Sequence, residues 1–360
     1  MTDLWTYLKN SSKPIALYGS GNGADKILDK LVKDGVSERV AGVFVSDGFV
    51  RNKTYRGYRI ESYDSIRERI GDMTVLVCFG SARPEVLANI DKIASEQELF
   101  VPDVPVYGKE IFDIAYYKEH EDDLGMVREM LSDDLSRRTF DDTIRYKLTG
   151  ELSALRDCEV SADHADSLIT LPDNSTFVDL GAYNGDTVLR YTSFFPQIKR
   201  VYAVEPDARN HRKLTDNTAR LAATHELHLL HAAVGEQEGE LLIPKNRGRG
   251  ISPDAMPASE ALSQGQDSRV TVPVVTVDGI LAGGKADFIK FDVEGAEAAA
   301  IEGARQTISR YRPKMLLSCY HRSRDLFDLP LRIAGMRDDY KLYMRHLPCV
   351  PGWDTAFYYV

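Results

Sequence analysis

Lys290, Asp292 and Glu294 stand at every second position of the stretch ADFIKFDVEGAE, residues 286–297, among the apolar residues Phe288, Ile289, Phe291 and Val293. Side chains of a strand alternate between its faces, so the three charges share one side of an otherwise buried strand. Lys290, the deepest, is expected to pair with a carboxylate, because an unpaired buried charge is costly. Asp292 and Glu294 lie nearer the carboxyl end, where a parallel sheet holds its ligand, and Gly295 lets the chain turn into the next helix. His321, after the apolar run KMLLSCY, can reach the same edge and is a candidate general base beside the two acids. Such a trio suits removing a proton from a hydroxyl, which needs a base or a cation that favours the alkoxide. The same three could ligate a divalent cation, but no spacing signature enforces this, and no metal ligand is assigned.

Two glycine turns bear on what sits beside these groups. In VDLGAYNGDTV, Asp179 precedes Gly181 and the turn closes on Asn184 and Gly185; Glu205 ends the following strand, VYAVEP. An acid at the end of a second strand suits a bidentate hydrogen bond to ribose hydroxyls. A carboxylate just before the turn repels a second phosphate but attracts an ammonium and a sulfonium, which points to S-adenosylmethionine. The other turn, Gly19-Ser20-Gly21-Asn22-Gly23-Ala24, fits G-x-G-x-x-A between a strand and a helix, with Asp47 after the next strand. That pattern suits a dinucleotide or a nucleotide sugar, or else a tight turn kept only for packing.

The elements that position these residues follow from periodicity. Residues 13–110 alternate strands with helices, as do residues from 176 onward, where the block ends in the strand-like YKLYMRH and TAFYYV. Between them Leu124, Val127, Leu131 and Leu135 recur at helical spacing in a charged stretch, which predicts helices that join two units or cover a site. The expectation is an α/β protein: a Rossmann-like domain over 1–115, a helical connector over 116–165 and a second doubly wound domain over 166–360. Residues 244–270, rich in Gly, Pro and Ser, are expected to form a lid or binding loop; within them PKNRGRG reads as a solvated turn or a contact to an anionic substrate.

Composition narrows the function classes. The net charge of −10 argues against binding nucleic acid or anionic membranes through clustered cations. The four cysteines, Cys78, Cys158, Cys319 and Cys349, form no C-x-x-C pair, and no run of about 18 apolar residues occurs. A cytoplasmic protein with reduced thiols and no membrane span is expected.

The segments FVDLGAYNGDTV, VYAVEPD, HAAVGEQEGE, VTVDGI, the run from ADFIKFDVEGAE to SCYH, and YKLYMRH together resemble the FkbM family of S-adenosylmethionine-dependent methyltransferases over about residues 175–360. The resemblance implies a class I methyltransferase fold and O-methylation of a sugar, glycan or related small molecule. It implies that Asp179, Gly181, Asn184 and Gly185 hold the methionine portion, that Glu205 holds the ribose, and that Ala232 and Ala233 flank the adenine. Asp292 would lie beside the methyl donor, with Asp292, Glu294 and His321 as the catalytic group. Tyr183 departs from the smaller residue that many members carry after the first Gly-Ala. Two other readings stay open: a nucleotide-sugar or NAD-dependent enzyme using the first turn, and a non-catalytic S-adenosylmethionine sensor.

Overall fold

The structure is a computed structural model that describes residues 2–46, 53–244, 256–257 and 269–360. Asp47, most of PKNRGRG and much of 244–270 lie outside the described residues.

The first sheet holds β1 (Ile15–Tyr18), β2 (Val40–Phe44), β3 (Thr54–Tyr55), β4 (Tyr58–Glu61), β5 (Thr74–Val77) and β6 (Glu98–Phe100) in the order β3-β4-β2-β1-β5-β6. Its inner strands pair in parallel and β1 and β5 are buried on both faces, so they read as unbroken apolar runs. β1 leads through the first glycine turn into helix Asn22–Lys33. The three glycines of that turn have different work. Gly19 sits at φ +120, a conformation that L side chains rarely adopt, and Gly23 packs so tightly that a Cβ would lie 2.3 Å from the Cys78 carbonyl oxygen. A Cβ on Gly21 would meet nothing within 4 Å. Gly23→Ala is therefore expected to destabilise the fold by about 1–3 kcal/mol and Gly21→Ala by less than about 0.5 kcal/mol, read from denaturant midpoints.

The second sheet holds β7 (Ser175–Leu180), β8 (Ile198–Val204) and β9 (Glu226–Leu230), then, after a four-stranded ribbon, β14 (Phe288–Phe291), β15 (Lys314–Ser318), β16 (Leu342–His346) and β17 (Thr355–Tyr359). The ribbon is β10 (Ala233–Val234), β11 (Gly239–Pro244), β12 (Met256–Pro257) and β13 (Arg269–Val275). The main sheet runs β16-β17-β15-β14-β7-β8-β9, parallel except for β17, which is antiparallel to both neighbours. From β7 the chain winds outward through β8 and β9, then returns to β14 on the other side of β7, which makes the β7/β14 junction the switch point. After Gly295 the chain runs through two helices, Glu297–Glu302 and Arg305–Tyr311. Gly303 interrupts them: its carbonyl accepts the Asp278 N–H, and a Cβ there would lie 2.2 Å from the Gly235 carbonyl oxygen.

The stretch between the sheets is helical, as its periodicity predicts, and it packs on the second sheet. Leu124, Val127, Leu131, Phe140 and Leu148 join the core cluster that includes Ile289 and Phe291, while Tyr146 reaches the cluster of the first sheet. Asp133 and the buried Arg345 form an ion pair at 2.6 Å that fixes helix Asp134–Thr149 to β16. Burial and this pairing oppose each other at Asp133, and the Arg345 and Ser136 bonds prevail, holding its carboxyl at about 2. No described helix is long and apolar enough to cross a membrane.

Candidate functional site

The carboxyl ends of the two sheets face each other across one cavity of about 1460 Å³. Gly19 and Ser20 after β1, Ser46 after β2, and Phe79 and Gly80 after β5 line one wall; Gly181 after β7, Glu205 after β8 and Asp292 after β14 line the other. Val106 and Tyr107 join from the segment between the sheets, but no described residue of the connector helices borders the cavity.

Gly181 at φ +84 brings β7 and β14 together at the switch point, because a Cβ there would lie 1.9 Å from the Asp292 carbonyl oxygen. Tyr183 follows at φ +46 and lines the cavity. Gly185, at φ +86, caps helix Asp186–Phe194, while Asn184 Oδ1 accepts the Asp186 N–H at 3.2 Å. Glu205, 6% exposed, receives the Tyr183 N–H at 2.9 Å on one oxygen and the Asp207 N–H at 2.8 Å on the other. Burial pushes its carboxyl up to about 7 despite these bonds. Ala233 borders the cavity and Ala232 is buried behind it.

The charged row divides. Lys290 Nζ lies 3.3 Å from Asp179 Oδ1 and 3.3 Å from Asp292 Oδ2, so it pairs with carboxylates as expected. Burial works against its charge, but the two acids outweigh burial and keep it protonated. Asp179 is fully buried and turned onto Lys290; its second oxygen, Oδ2, has no hydrogen-bond partner. Asp292 also accepts the Tyr320 hydroxyl at 3.0 Å. Burial raises its pKa, yet Lys290 and then His321 outweigh this and hold it below the usual carboxylate range. Glu294 takes the left-handed conformation, φ +57, with 39% of its side chain exposed towards the cavity. Burial raises its pKa above the ordinary value.

His321 is 1% exposed and lies behind the two acids, with Nε2 at 3.5 Å from Glu294 Oε2 and 3.7 Å from Asp292 Oδ1. Nδ1 lies 2.9 Å from Glu297 Oε1. Burial opposes a charged ring, but Glu297, Asp292 and Glu294 together raise its pKa to about 10. An imidazolium with that pKa carries its proton at neutral pH, so His321 offers positive charge before it offers basicity.

Gly181, Glu205, Ala233, Asp292 and Glu294 thus meet at the cavity wall. Asp179, Ala232 and His321 lie behind it, and Asn184 and Gly185 shape the turn beside it. Three contributors were not singled out from sequence. Tyr320 was signalled only by preceding His321, Tyr107 comes from outside the second sheet, and Glu297 stands in a helical run where an acid usually faces solvent.

The sequence profile of the Methyltransferase FkbM domain matches residues 179–335. Among solved structures, a methyltransferase FkbM from Methylobacillus flagellatus KT superposes with a TM-score of 0.72 at 21% identity, covering 99% of this chain and 92% of that one. A putative rRNA-methylase from Clostridium thermocellum aligns over 55% of this chain and 90% of its own at 8% identity, with a TM-score of 0.33. No curated protein matches the chain in sequence. The chain has the Rossmann-like fold of the Methylobacillus flagellatus methyltransferase structure, and residues 179–335 match the model of the Methyltransferase FkbM domain.

Proposed function

We propose that the protein transfers a methyl group from S-adenosylmethionine to a hydroxyl of a sugar, glycan or related metabolite. The observation that carries this reading is the placement of Glu205, Asp292 and Glu294 on one wall of a cavity whose opposite wall belongs to the first sheet. The residues fit the donor: Gly181 permits close backbone approach, Glu205 is held at the strand end by two backbone N–H groups, and Asp179 keeps an unpartnered oxygen beneath the turn. In this proposal Glu205 binds the ribose, and Gly181, Asn184 and Gly185 shape the turn around the methionine portion over the Asp179–Lys290 pair. Ala233, backed by Ala232, flanks the adenine. We further propose that 1–115 and 166–360 act as two domains joined by 116–165, with the acceptor held between them, in a cytoplasmic protein whose four cysteines are all buried.

When bound, S-adenosylmethionine supplies an electrophilic methyl on a sulfonium. Alignment of the acceptor oxygen with that methyl provides several kcal/mol of the barrier reduction. As the oxygen–carbon bond forms, the carbon–sulfur bond breaks with its electron pair going to sulfur, and the hydroxyl proton passes to Glu294. Burial raises the Glu294 pKa, which makes it a stronger base than a free carboxylate. Asp292 faces the positive donor, and the His321 imidazolium stabilises charge developing on the acceptor oxygen.

Titration of the purified chain with S-adenosylhomocysteine, NAD and a UDP-sugar tests the ligand assignment, with binding of S-adenosylhomocysteine alone expected at the second turn. Dinucleotide binding without it would favour the first turn as the active centre. The acceptor class is tested by labelled methyl transfer to hydroxyl-bearing extracts with mass analysis of the product.

The Glu205 carboxyl supplies a pH signature. Its folded pKa, about 7, lies above the ordinary glutamate value, so protonation favours the fold as pH falls through 7, while ribose binding needs the ionised form. Donor affinity is expected to fall as pH drops from 8 to 6, and Glu205→Gln should flatten that dependence.

A further inference from the structure

Glu297 opens helix Glu297–Glu302 and is 1% exposed. Its Oε1 accepts the Val293 N–H at 2.9 Å and the Gly295 N–H at 3.3 Å, and the same atom stands 2.9 Å from His321 Nδ1. Val293 and Gly295 are the two neighbours of Glu294, whose φ of +57 needs support from its surroundings. One buried oxygen therefore grips both sides of the turn that presents Glu294 and stands against one end of the ring whose other end faces Glu294 and Asp292.

The rest of the enclosure fixes the same geometry. Asp325 accepts the Arg322 N–H at 2.7 Å just after His321, and the Arg322 guanidinium donates to the Gly295 carbonyl at 2.8 Å. The Tyr107 N–H donates to the His321 carbonyl at 2.9 Å. The titratable groups around the His321 ring are thus Asp292, Glu294, Glu297, Asp325, Tyr107 and Tyr320. A carboxylate buried this completely is costly unless donors converge on it, and here two backbone N–H groups do, with the His321 ring beside them at 2.9 Å.

We propose that Glu297 is a positioning residue, which sets the Glu294 carboxylate and the His321 imidazolium in register with one another at the acceptor side of the cavity. The proposal rests on the reading that Glu294 borders the acceptor with His321 behind it, but it concerns how the two are held. It also assigns a reason for an acid inside an apolar helix start: Glu297 acts through Glu294 and His321 and does not itself line the cavity.

Glu297→Gln tests it, because the amide oxygen can still accept the backbone N–H groups while the charge opposite His321 is lost. Turnover is expected to fall about 10- to 100-fold, the scale of a small misplacement of reacting groups, with S-adenosylhomocysteine affinity within about twofold of wild type. The pH profile adds a readout that a role in stability alone would not move. Turnover that needs the imidazolium is lost as pH rises through the His321 pKa, so the alkaline limb should move down by about one unit or more in E297Q. A folded E297Q with wild-type turnover and an unmoved alkaline limb would overturn the proposal. Nitrogen NMR of His321 in the unliganded wild-type protein decides the matter even where E297Q does not fold, and it needs no donor. Titration far above the ordinary histidine range supports the proposal, and titration near 6.5 overturns it. Stoichiometric metal in the purified protein, held by Glu297, His321 and Asp325, whose ligand atoms lie within 4.8 Å of one another, would also overturn it. Failure of wild-type S-adenosylhomocysteine binding would instead defeat the methyl-donor reading and leave the NMR result standing.

Discussion

Asp292→Asn and Glu294→Gln are each expected to lower turnover about 10²-fold or more with the fold kept, the scale for losing a positioned charge or proton acceptor. Both changes preserve shape and remove charge, so they separate chemistry from packing. The two variants should differ in donor binding. Asp292 sits against Lys290 and the Tyr320 hydroxyl at the switch point, and its neutralisation leaves Lys290 with Asp179 as its remaining carboxylate partner. Donor affinity should therefore weaken in Asp292→Asn. Glu294 lines the cavity on a turn held by the Glu297 carboxylate, so Glu294→Gln should bind S-adenosylhomocysteine nearly as wild type does. The sign of the pH effect follows from its role as base: wild-type turnover rises with pH as Glu294 ionises, and burial places that rise above the ordinary carboxylate range. If this strand were only a structural ion-pair network, the substitutions would lower thermal stability without a specific loss of turnover. His321→Ala should also lower turnover about 10²-fold or more while leaving donor binding nearly unchanged.

Gly181→Ala should abolish measurable donor binding and destabilise the second sheet by about 3 kcal/mol, the upper part of the range for forced overpacking. Two independent constraints act at this position. The backbone occupies φ +84, and the added Cβ would lie 1.9 Å from the Asp292 carbonyl oxygen, a backbone atom that cannot swing aside as a side-chain end can. Relief requires β7 and β14 to separate at the point where both the donor turn and Asp292 are placed. Circular dichroism melts and calorimetry on the same sample check both halves of the prediction, and an alanine variant that melts and binds like wild type would show that the two strands do not need this contact.

Much of this arrangement is legible in the chain. Period-two alternation marks β14, the glycine turn marks the end of β7, and an acid after an apolar run marks Glu205 at the end of β8; all three lie at one sheet edge because parallel strands share a direction. What sequence spacing does not carry is the partner of each charge. Asp179 looks free to meet an ammonium, but Lys290 lies beside it across the β7–β14 pairing, where the two residues are register partners. His321 looks like a base, but the local sequence does not reveal that Glu297 reaches it from a helix start 24 residues earlier. The ribbon between β9 and β14 is not marked by the sequence, because short strands such as Met256–Pro257 leave little periodicity to detect. The connector's helices were legible, but which side of the site they pack against was not, since that depends on pairings such as Asp133 with Arg345 over 200 residues away.

The most direct test of the central claim is calorimetric titration of the purified chain with S-adenosylhomocysteine, wild type beside Glu205→Ala. The account predicts one site per chain in wild type and an affinity weakened by roughly 1.5–3 kcal/mol in the variant, the range for hydrogen bonds to a charged group. Absence of binding to the folded wild-type protein, or equal affinity in the two, would contradict the placement of the methyl donor at the β7–β14 edge.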